Sequence, residues 1–252
     1  MSNQKRSASE LRQFLVVTRL EMTSYFRSPV GLLFGLAMPS ALLYVAVTFW
    51  YPEQVRTFAV PDMAFLSVVT SGLYSIGVAI TEQRGNGVLK TYLSSPLRTR
   101  TYLAAQVADR VVVVLVGNSV MVLVGTLGMG IPLQGELWRY ALVLTTSLAT
   151  MLSFGFLLAS RFRSVETAGM VSSLLFFAIM FGSGIFSGLA TMPGWIANIL
   201  DVLPFRPIVE IMRRSWIDPG FSGWAQLGLV FTWFLVFWIA ASVLFRWTPN
   251  DR

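Results

Sequence analysis

The sequence predicts an all-α integral membrane protein, and three features of its composition and patterning support that prediction. Apolar residues make up 55% of the 252 residues, and charged residues make up only 12%. Soluble domains contain roughly 25% charged residues. The mean hydropathy is +0.66, and six apolar stretches each approach the roughly 20 residues that a helix needs to cross a bilayer. So few charges cannot cover a water-facing surface, and the apolar stretches are therefore expected to face lipid.

The predicted spans lie at about 31–51, 62–81, 102–130, 140–160, 167–189 and 224–247. The third is longer than a crossing requires, so it is expected to tilt or to extend into the cytoplasm. Neither a long linker nor an internal repeat divides the chain. We therefore treat residues 1–252 as a single transmembrane domain.

The segment at about residues 8–28 is predicted to form an amphipathic helix that lies in the membrane interface. Apolar side chains recur there at helical spacing, whereas most charged ones fall on the other side. Arg27-Ser28-Pro29 ends the pattern, because proline interrupts a helix. A solvated helix packed on a partner protein is the alternative. The apolar positions are Leu11, Phe14, Leu15, Thr18, Met22, Tyr25 and Phe26.

Between the fifth and sixth spans, two apolar pieces are too short to cross the bilayer. They are Trp195–Leu203 and Ile208–Trp216, and each is bounded by proline or glycine. We interpret them as a re-entrant hairpin in the outer leaflet. The alternative is a solvated external loop held by ion pairs among its charged residues, which are Arg206, Glu210, Arg213 and Arg214.

The distribution of basic residues predicts the orientation of the chain. With a cytoplasmic N-terminus, 14 of the 19 Lys and Arg residues fall inside, which is a clear positive-inside bias. Both termini are then cytoplasmic. The net charge of +7 is spread over membrane-proximal loops, so it favours contact with anionic lipid over nucleic acid.

The missing residue types narrow the possible functions. The chain contains no histidine and no cysteine, so it lacks the commonest general base, the commonest metal ligand and every thiolate. A lipid-modifying enzyme or an intramembrane hydrolase needs clustered acids, histidines or a Ser/Lys pair at membrane depth. The carboxylates here are scattered. A transport role, or an anchoring or assembly role, is therefore favoured over catalysis, and no metal site is expected.

A polar and basic segment, Glu82–Arg100, follows the second span and is expected on the cytoplasmic side. Gly85 and Gly87 predict a flexible turn, and Pro96 predicts the end of a short helix. This helix, at about 86–96, would have an apolar face formed by Val88, Leu89, Tyr92 and Leu93. An ordinary loop between two spans is the alternative.

The segment from Glu82 to Leu97 resembles the one that follows the second span in permeases of the ABC-2 type, the membrane halves of ATP-binding-cassette exporters. Ser183–Gly188, Met192–Trp195 and Leu203–Phe205 resemble that family's fifth-span end and its re-entrant hairpin. The resemblance extends over nearly the whole chain. It is closest to the daunorubicin-resistance and nodulation-factor-export subgroup.

This resemblance implies that residues 86–96 form a coupling helix, which seats in a cleft on a separate ATPase. Leu89, Tyr92 and Leu93 would be apolar knobs in that cleft, with Glu82 and Arg84 in charge-assisted contacts at its rim. The full set of implied coupling residues is Glu82, Arg84, Gly87, Val88, Leu89, Tyr92, Leu93 and Pro96.

No cofactor is expected in this chain. A Walker A loop needs Gly-Lys-Ser/Thr, and neither Lys5 nor Lys90 follows a glycine. ATP and magnesium would therefore bind to the partner ATPase subunits. Six spans are half of an exporter, so a second copy, or a similar permease, is also implied as a partner.

Polar residues within the spans are candidates for a substrate path. Thr70, Ser71 and Ser75 give the second span one polar side, which either faces a cavity or packs between helices. Asn118 either lines the path or bonds a neighbouring helix. Asp109, beside Arg110, is interpreted as part of an ion pair near the cytoplasmic surface, with a functional role as the alternative.

Small residues four apart permit close helix packing. Such pairs occur at Gly155 and Ala159 and in the first and fifth spans, which lie at the dimer interface of the resembled family. The dimer candidates are therefore Gly31, Gly35, Gly184 and Gly188, with packing inside one subunit left open.

Together these expectations describe the permease subunit of an exporter in the bacterial inner or plasma membrane. An apolar path with few charges favours an amphipathic drug, an antibiotic or a lipid-like substrate. Export of a polysaccharide or glycolipid is one alternative, and a non-transporting membrane anchor or assembly protein is another.

Overall fold

The computed structural model of the chain describes residues 2–33, 37–85, 99–162, 164–185 and 194–244. Every regular element within these ranges is helical, which confirms the all-α class. The principal helices are α1 (Ser2–Arg27), α2 (Met38–Phe49), α3 (Glu53–Gly85), α4 (Thr99–Leu123), α5 (Leu137–Ala159), α6 (Val165–Gly182), α7 (Gly194–Val202), α8 (Phe205–Ile217) and α9 (Trp224–Leu244).

Five of the described helical stretches are long and apolar enough to cross a membrane. They are α3, Ala104–Gly128, α5, α6 and α9. Helix α2 has only 12 residues and begins with Pro39 in its first turn, where the missing N–H of proline removes no hydrogen bond. Residues 34–36 lie outside the described part, so the first predicted span, and with it the count of six, stays a prediction.

Helix α3 is longer than the predicted second span. It begins nine residues earlier, with the 3₁₀ turn Glu53–Phe58, and continues to Gly85. Its middle, Ser71–Val78, is a π-helix. This wider helix is rare in proteins, and where it occurs it is often at a functional site. The wider turn rotates the side chains that follow it, which a sequence pattern with a period of 3.6 does not reveal.

Two predicted span ends differ from the observed helix ends, and the predicted end of the sixth span lies outside the described residues. Helix α4 passes into a π-helical turn, Val124–Gly128, and the positive φ of Gly130 (67°) redirects the chain. Helix α6 ends at Gly182 rather than at 189, and residues 186–193 lie outside the described part. Helix α9 is described to Leu244.

Helices α3, α5 and α8 form the centre of the bundle, and α9 packs against α5 and α8. Helix α5 packs against the π segment of α3 on one side and against α9 on the other, while α8 contacts α3, α5 and α9. Leu73, Leu148, Met151 and Trp216 are each fully buried there. Helices α6 and α9 keep large apolar side chains exposed, as expected for surfaces that face lipid or another subunit.

The N-terminal helix α1 lies along α4 and has two different faces. Phe14 and Thr18 are half-buried, whereas Leu11, Leu15 and Leu20 are exposed. The helix ends at Arg27, directly before Ser28-Pro29, as the sequence predicts. Its position in the membrane interface stays a prediction.

Candidate functional site

The candidate site follows α3 from its C-terminal end, which the predicted orientation makes the inner end, to its N-terminal end, which it makes the outer end. At the inner end, Arg84 is 7% exposed, and its guanidinium donates a hydrogen bond to the carbonyl of Phe162, just beyond the end of α5. Carbonyls at helix ends lack an intrahelical donor, and a buried guanidinium needs an acceptor. Arg84 therefore ties α3 to the α5–α6 connection, and its predicted contact with a partner stays a prediction.

The rest of the predicted coupling helix lies outside the described residues. Glu82 is exposed at the end of α3, where it is accessible to a partner. The other predicted coupling residues lie outside the residues that the structure describes; they are Gly87, Val88, Leu89, Tyr92, Leu93 and Pro96.

Halfway along α3, two glycines allow it to cross α5 in close contact. A Cβ at Gly155 would overlap the carbonyl oxygen of Gly72 and lie 2.9 Å from its carbonyl carbon. A Cβ at Gly72 would lie 2.7 Å from the carbonyl carbon of Met151. We call this pair, Gly72 and Gly155, the glycine crossing. The sequence pointed to Gly155 through its spacing from Ala159, but it did not identify Gly72 as the partner.

The polar residues predicted for a substrate path are mostly satisfied within α3. The Thr70 hydroxyl donates to the Leu66 carbonyl at 2.9 Å, and the Ser71 hydroxyl donates to the Ser67 carbonyl at 2.8 Å. Ser75 is half-buried. The hydroxyls of Thr70 and Ser71 thus both donate to carbonyls of their own helix, which is the usual arrangement for Ser and Thr in apolar helices.

Sequence reasoning missed a polar contact on the exposed side of the bundle, between α3 and α6. The Tyr74 hydroxyl and the Ser173 hydroxyl of α6 are 3.1 Å apart. Nearby, the Ser172 hydroxyl donates to the Leu73 carbonyl at 3.4 Å. Ser172 is fully buried, whereas Tyr74 is 36% exposed, so the Tyr74 and Ser173 hydroxyls form a polar spot on an otherwise apolar surface. The signal was a tyrosine beside Ser75 in an apolar run.

Asn118 bonds a neighbouring helix. Its amide nitrogen donates to the Val114 carbonyl at 2.9 Å and to the Ser67 hydroxyl of α3 at 3.3 Å. The side chain is 1% exposed, and its Oδ1 accepts no hydrogen bond from the described residues. Nearby on α4, Asp109 and Arg110 are 3.9 Å apart, as the ion-pair interpretation expected, with the Asp109 side chain only 3% exposed.

At the outer end of α3, a buried ion pair joins it to α8. Arg213 donates from Nε to Oδ1 of Asp62 at 2.6 Å and from Nη2 to Oδ2 at 2.7 Å. The Tyr51 hydroxyl donates to the same Oδ2 at 2.6 Å. Asp62 is 0% exposed, and the Phe58 ring lies 5.2 Å from the Arg213 guanidinium carbon. We call Tyr51, Asp62 and Arg213 the outer cluster.

Asp62 raises the pKa of Arg213. Burial alone would lower the pKa of Arg213, but the hydrogen bonds and the negative charge of Asp62 outweigh it, so the pKa of Arg213 lies above its ordinary value. The other charges of the predicted hairpin pair locally: Arg206 with Asp201, and Arg214 with Glu210. Sequence reasoning grouped Arg213 with these residues and missed Asp62.

The two hairpin pieces differ in their packing. Helix α7 buries no residue completely, and Trp195 and Val202 are each at least 60% exposed. Helix α8 buries an apolar face that includes Ile208, Ile211 and Trp216. The second piece is therefore embedded in the bundle. The re-entrant path of the whole hairpin stays a prediction.

The C-terminal end of α8 is also attached to the loop before α5. The amides of Gln134 and Gly135 donate to the Trp216 carbonyl at 3.0 and 2.9 Å, and Arg139 donates to the Pro219 carbonyl. Beyond the helix, Asp218 accepts hydrogen bonds from the backbone amides of Gly220 and Ser222. The Ser222 bond, then that from Gly220, holds the pKa of Asp218 below its ordinary value.

The glycines predicted for a dimer interface are only partly described. Gly184 has a φ of 81° and lies in the turn after α6, so it is not on a helical face. Gly31 lies in the single helical turn Pro29–Leu32, whereas Gly35 and Gly188 lie outside the described residues. Helix α6 instead presents a stripe of exposed apolar side chains, which we call the α6 stripe: Met170, Leu174, Phe177 and Phe181.

The architecture is that of a multi-pass membrane protein. The described residues contain no Asp/Glu/His/Cys cluster that could hold a metal ion. The ABC-2 type transporter family matches residues 12–217, and the chain belongs to that family. Members of this family normally work with ABC ATPase partners.

Similarity to other sequences agrees with this assignment. A putative transport permease of Bacillus subtilis, YvfS, is 24% identical over 234 residues, which cover 90% of this chain and 94% of that relative. A probable multidrug ABC transporter permease of Escherichia coli, YbhR, is 20% identical over 67% of this chain and 46% of its own length. The ABC transporter G family member 20 of Dictyostelium discoideum is 24% identical over 74% of this chain and 26% of that protein.

Proposed function

We propose that the chain is the transmembrane permease subunit of an ABC exporter, which moves an amphipathic drug, an antibiotic or a lipid-like substrate outward. Membership of the ABC-2 family over residues 12–217 is the observation that carries the proposal. The chain has no Walker A lysine, so ATP and magnesium are bound by a separate ATPase subunit. The name of the E. coli relative, a probable multidrug permease, supports the substrate class.

The ATPase contact is the segment of residues 86–96, directly after α3. Helix α3 enters this segment with Glu82 exposed, while Arg84 is held inside the chain by the Phe162 carbonyl. Because Arg84 holds the inner end of α3 in place, a force applied to residues 86–96 moves the whole helix instead of unwinding its last turn. Leu89, Tyr92 and Leu93 supply apolar contacts with the ATPase groove.

A second permease subunit completes the transporter, and it packs on the α6 stripe. Met170, Leu174, Phe177 and Phe181 recur at intervals of three and four, which places them along one side of the helix. Each is more than half exposed. A second copy of this chain, or a similar permease, would cover that stripe.

The substrate path runs along the exposed side of α3 next to α6, close to the α6 stripe. Tyr74 and Ser173 provide hydroxyls there, and Phe176 packs against Tyr74 at 6.4 Å between ring centroids. A path with aromatic faces and a few hydroxyls fits an amphipathic substrate better than a highly charged one. Ser75 is half-buried beside Tyr74, and the α4 residue Asn118 points away from this surface toward Ser67.

We further propose that the subunit lies in the bacterial inner or plasma membrane with both termini in the cytoplasm. The positive-inside bias supports this orientation. Because the chain has no native cysteine, single introduced cysteines report the topology directly. An impermeant maleimide added to whole cells should label Gln54→Cys and should not label Thr91→Cys; the reverse pattern would contradict the orientation.

Aspartate substitutions in the coupling segment test the function. Leu89→Asp and Tyr92→Asp place a charge on the apolar face, so the ATPase should no longer co-purify with the permease. ATP-driven uptake of a fluorescent amphipathic cation into inside-out vesicles should fall with it. Thr91→Asp is the matched control, because Thr91 lies on the opposite face of the predicted helix and should keep both activities. Undiminished binding and uptake in Leu89→Asp and Tyr92→Asp would refute the proposed contact.

A further inference from the structure

We propose that the ion pair between Asp62 and Arg213 is the link through which α3 moves the external helix α8 during transport. Arg213 and Asp62 then act as positioning residues: they set the position of α8 relative to α3 during the export cycle. The inference rests on the proposed function, since it requires an ATPase that acts on the inner end of α3. It adds the connection by which that action reaches the outer surface.

The ion pair has the geometry of a rigid connection. Both carboxylate oxygens of Asp62 are engaged by one guanidinium, at 2.6 and 2.7 Å, and the Tyr51 hydroxyl holds Oδ2 from a third direction. A two-pronged Arg–carboxylate contact fixes orientation as well as distance. Apolar surfaces, in contrast, can slide past one another. Any displacement of Asp62 therefore carries Arg213 with it.

Stability alone does not account for a charge at this position. Asp62 is the only charged residue on α3 between Arg56 and Glu82, and it is 0% exposed. A buried ion pair is often matched or exceeded in stability by apolar residues of similar volume. Its sequence neighbours Val60, Met63 and Phe65 are apolar and buried. The pair is thus better explained by the specific attachment it makes.

The position of the glycine crossing gives α3 the shape of a lever. Gly72 lies ten residues from Asp62 and twelve from Arg84, which correspond to arms of about 15 and 18 Å at 1.5 Å per residue. The backbones of α3 and α5 leave no room for a Cβ at this crossing. A tilt of α3 about this point moves its two ends in opposite directions by similar distances.

The two attachments of α8 determine which part of the hairpin responds. Arg213 and Trp216 lie three residues apart near its C-terminal end, and they bind α3 and the loop before α5 respectively. The N-terminal end of α8 and the exposed helix α7 are farther from both attachments. A small rotation at the attached end is therefore largest at α7, at the outer mouth of the bundle.

The test measures cysteine labelling in the complete complex with its ATPase in proteoliposomes. Asn198→Cys reports on α7 and Gln54→Cys reports on the outer end of α3, and both positions are exposed. The probe is an impermeant maleimide, applied without nucleotide and after trapping with ATP and vanadate. In the parent, both labelling rates should change between the two states by about fivefold or more, the lower end of ordinary coupling.

Asp62→Asn should abolish the response at position 198 while the response at position 54 and the ATPase activity persist. A purely structural role would not separate the two reporters in this way. Glu210→Gln is the matched control, because it removes a different ion pair on α8, the one with Arg214. It should leave both responses intact.

A double variant, Asp62→Leu with Arg213→Met, covers the case in which Asp62→Asn fails to fold. It leaves no unpaired buried charge, and it should be stable but unresponsive at position 198. A retained response in either variant, or no response at either reporter in an ATP-hydrolysing parent complex, overturns the link. A parent chain that binds no ATPase contradicts the proposed function itself, so the two failures are distinguishable.

Discussion

Alanine at Gly155 should destabilise the bundle, because it obstructs the glycine crossing. The new Cβ would lie 2.9 Å from the carbonyl carbon of Gly72 and 3.2 Å from the Cβ of Ile76. Carbon atoms in contact are normally about 3.5–4.0 Å apart. The first contact consists of backbone, which cannot rotate away as a side chain can. Helices α3 and α5 must therefore separate by roughly 1 Å.

The expected cost follows from two opposing effects. Overpacking of a tight contact costs about 1–3 kcal/mol. Replacing a helical glycine with alanine gains about 0.5–1 kcal/mol, because alanine restricts the unfolded chain. Gly169→Ala is the matched control: it lies in helix α6, and nothing lies within 4 Å of its would-be Cβ. It should show the gain without the cost.

Thermal unfolding of the two variants in detergent measures the difference. For a chain of this size, about 2–4 °C of melting temperature correspond to 1 kcal/mol, so Gly155→Ala should melt roughly 2–12 °C below Gly169→Ala. The comparison removes the helix-propensity term, which both variants share. Equal melting temperatures, or a more stable Gly155→Ala, would refute the close crossing of α3 and α5.

Three further predictions concern polar groups. Arg84→Met should lower the stability by about 1–3 kcal/mol, because the buried Phe162 carbonyl loses its donor; an unchanged melting temperature would contradict the tie. Asn118→Leu should leave the melting temperature unchanged or raise it, because it removes an oxygen without a partner among the described residues; a large loss would show that Oδ1 is needed. Asp218 has a lowered folded pKa, so its contribution is present above its ordinary pKa of about 3.9 and is lost as pH falls through the folded value. The melting difference between the parent and Asp218→Ala should therefore be present at pH 7 and shrink in acid; a difference that grew in acid would have the wrong sign.

The all-α membrane class was predictable, because it depends on composition and on the length of apolar runs. Those quantities are local, and five described helices match them. The helix ends were less predictable. The π-helix at Ser71–Val78 and the early start of α3 at Glu53 depend on packing against α5 and α8, which no local pattern expresses.

The long-range polar contacts were not predictable from one sequence. Arg213 and Asp62 are 151 positions apart, and Arg84 is 78 positions from Phe162. Sequence spacing suggested local partners for Arg213 and a protein partner for Arg84. Each arginine binds an acceptor on a distant segment, because a buried or half-buried guanidinium needs a hydrogen-bond partner. A lone aspartate in an apolar span was the available signal for the outer cluster.

The coupling segment was inferred from its sequence pattern, and the structure describes only what surrounds it. Glu82 and Arg84 mark its entrance, and Thr99 begins the helix that follows it. The family assignment gives the segment a partner class. Its helical form and its contact with the ATPase remain predictions.

Cross-linking of the coupling segment to the ATPase tests the central claim most directly. The test variant is Leu89→Cys and the control is Gln54→Cys. The chain has no native cysteine, so each permease variant carries a single thiol. A bifunctional reagent that joins a thiol to an amine, added to the assembled complex, should join Leu89→Cys to the ATPase and should leave Gln54→Cys unlinked. Linkage only from Gln54→Cys, or no ATPase bound at all, would contradict a permease that is driven through residues 86–96.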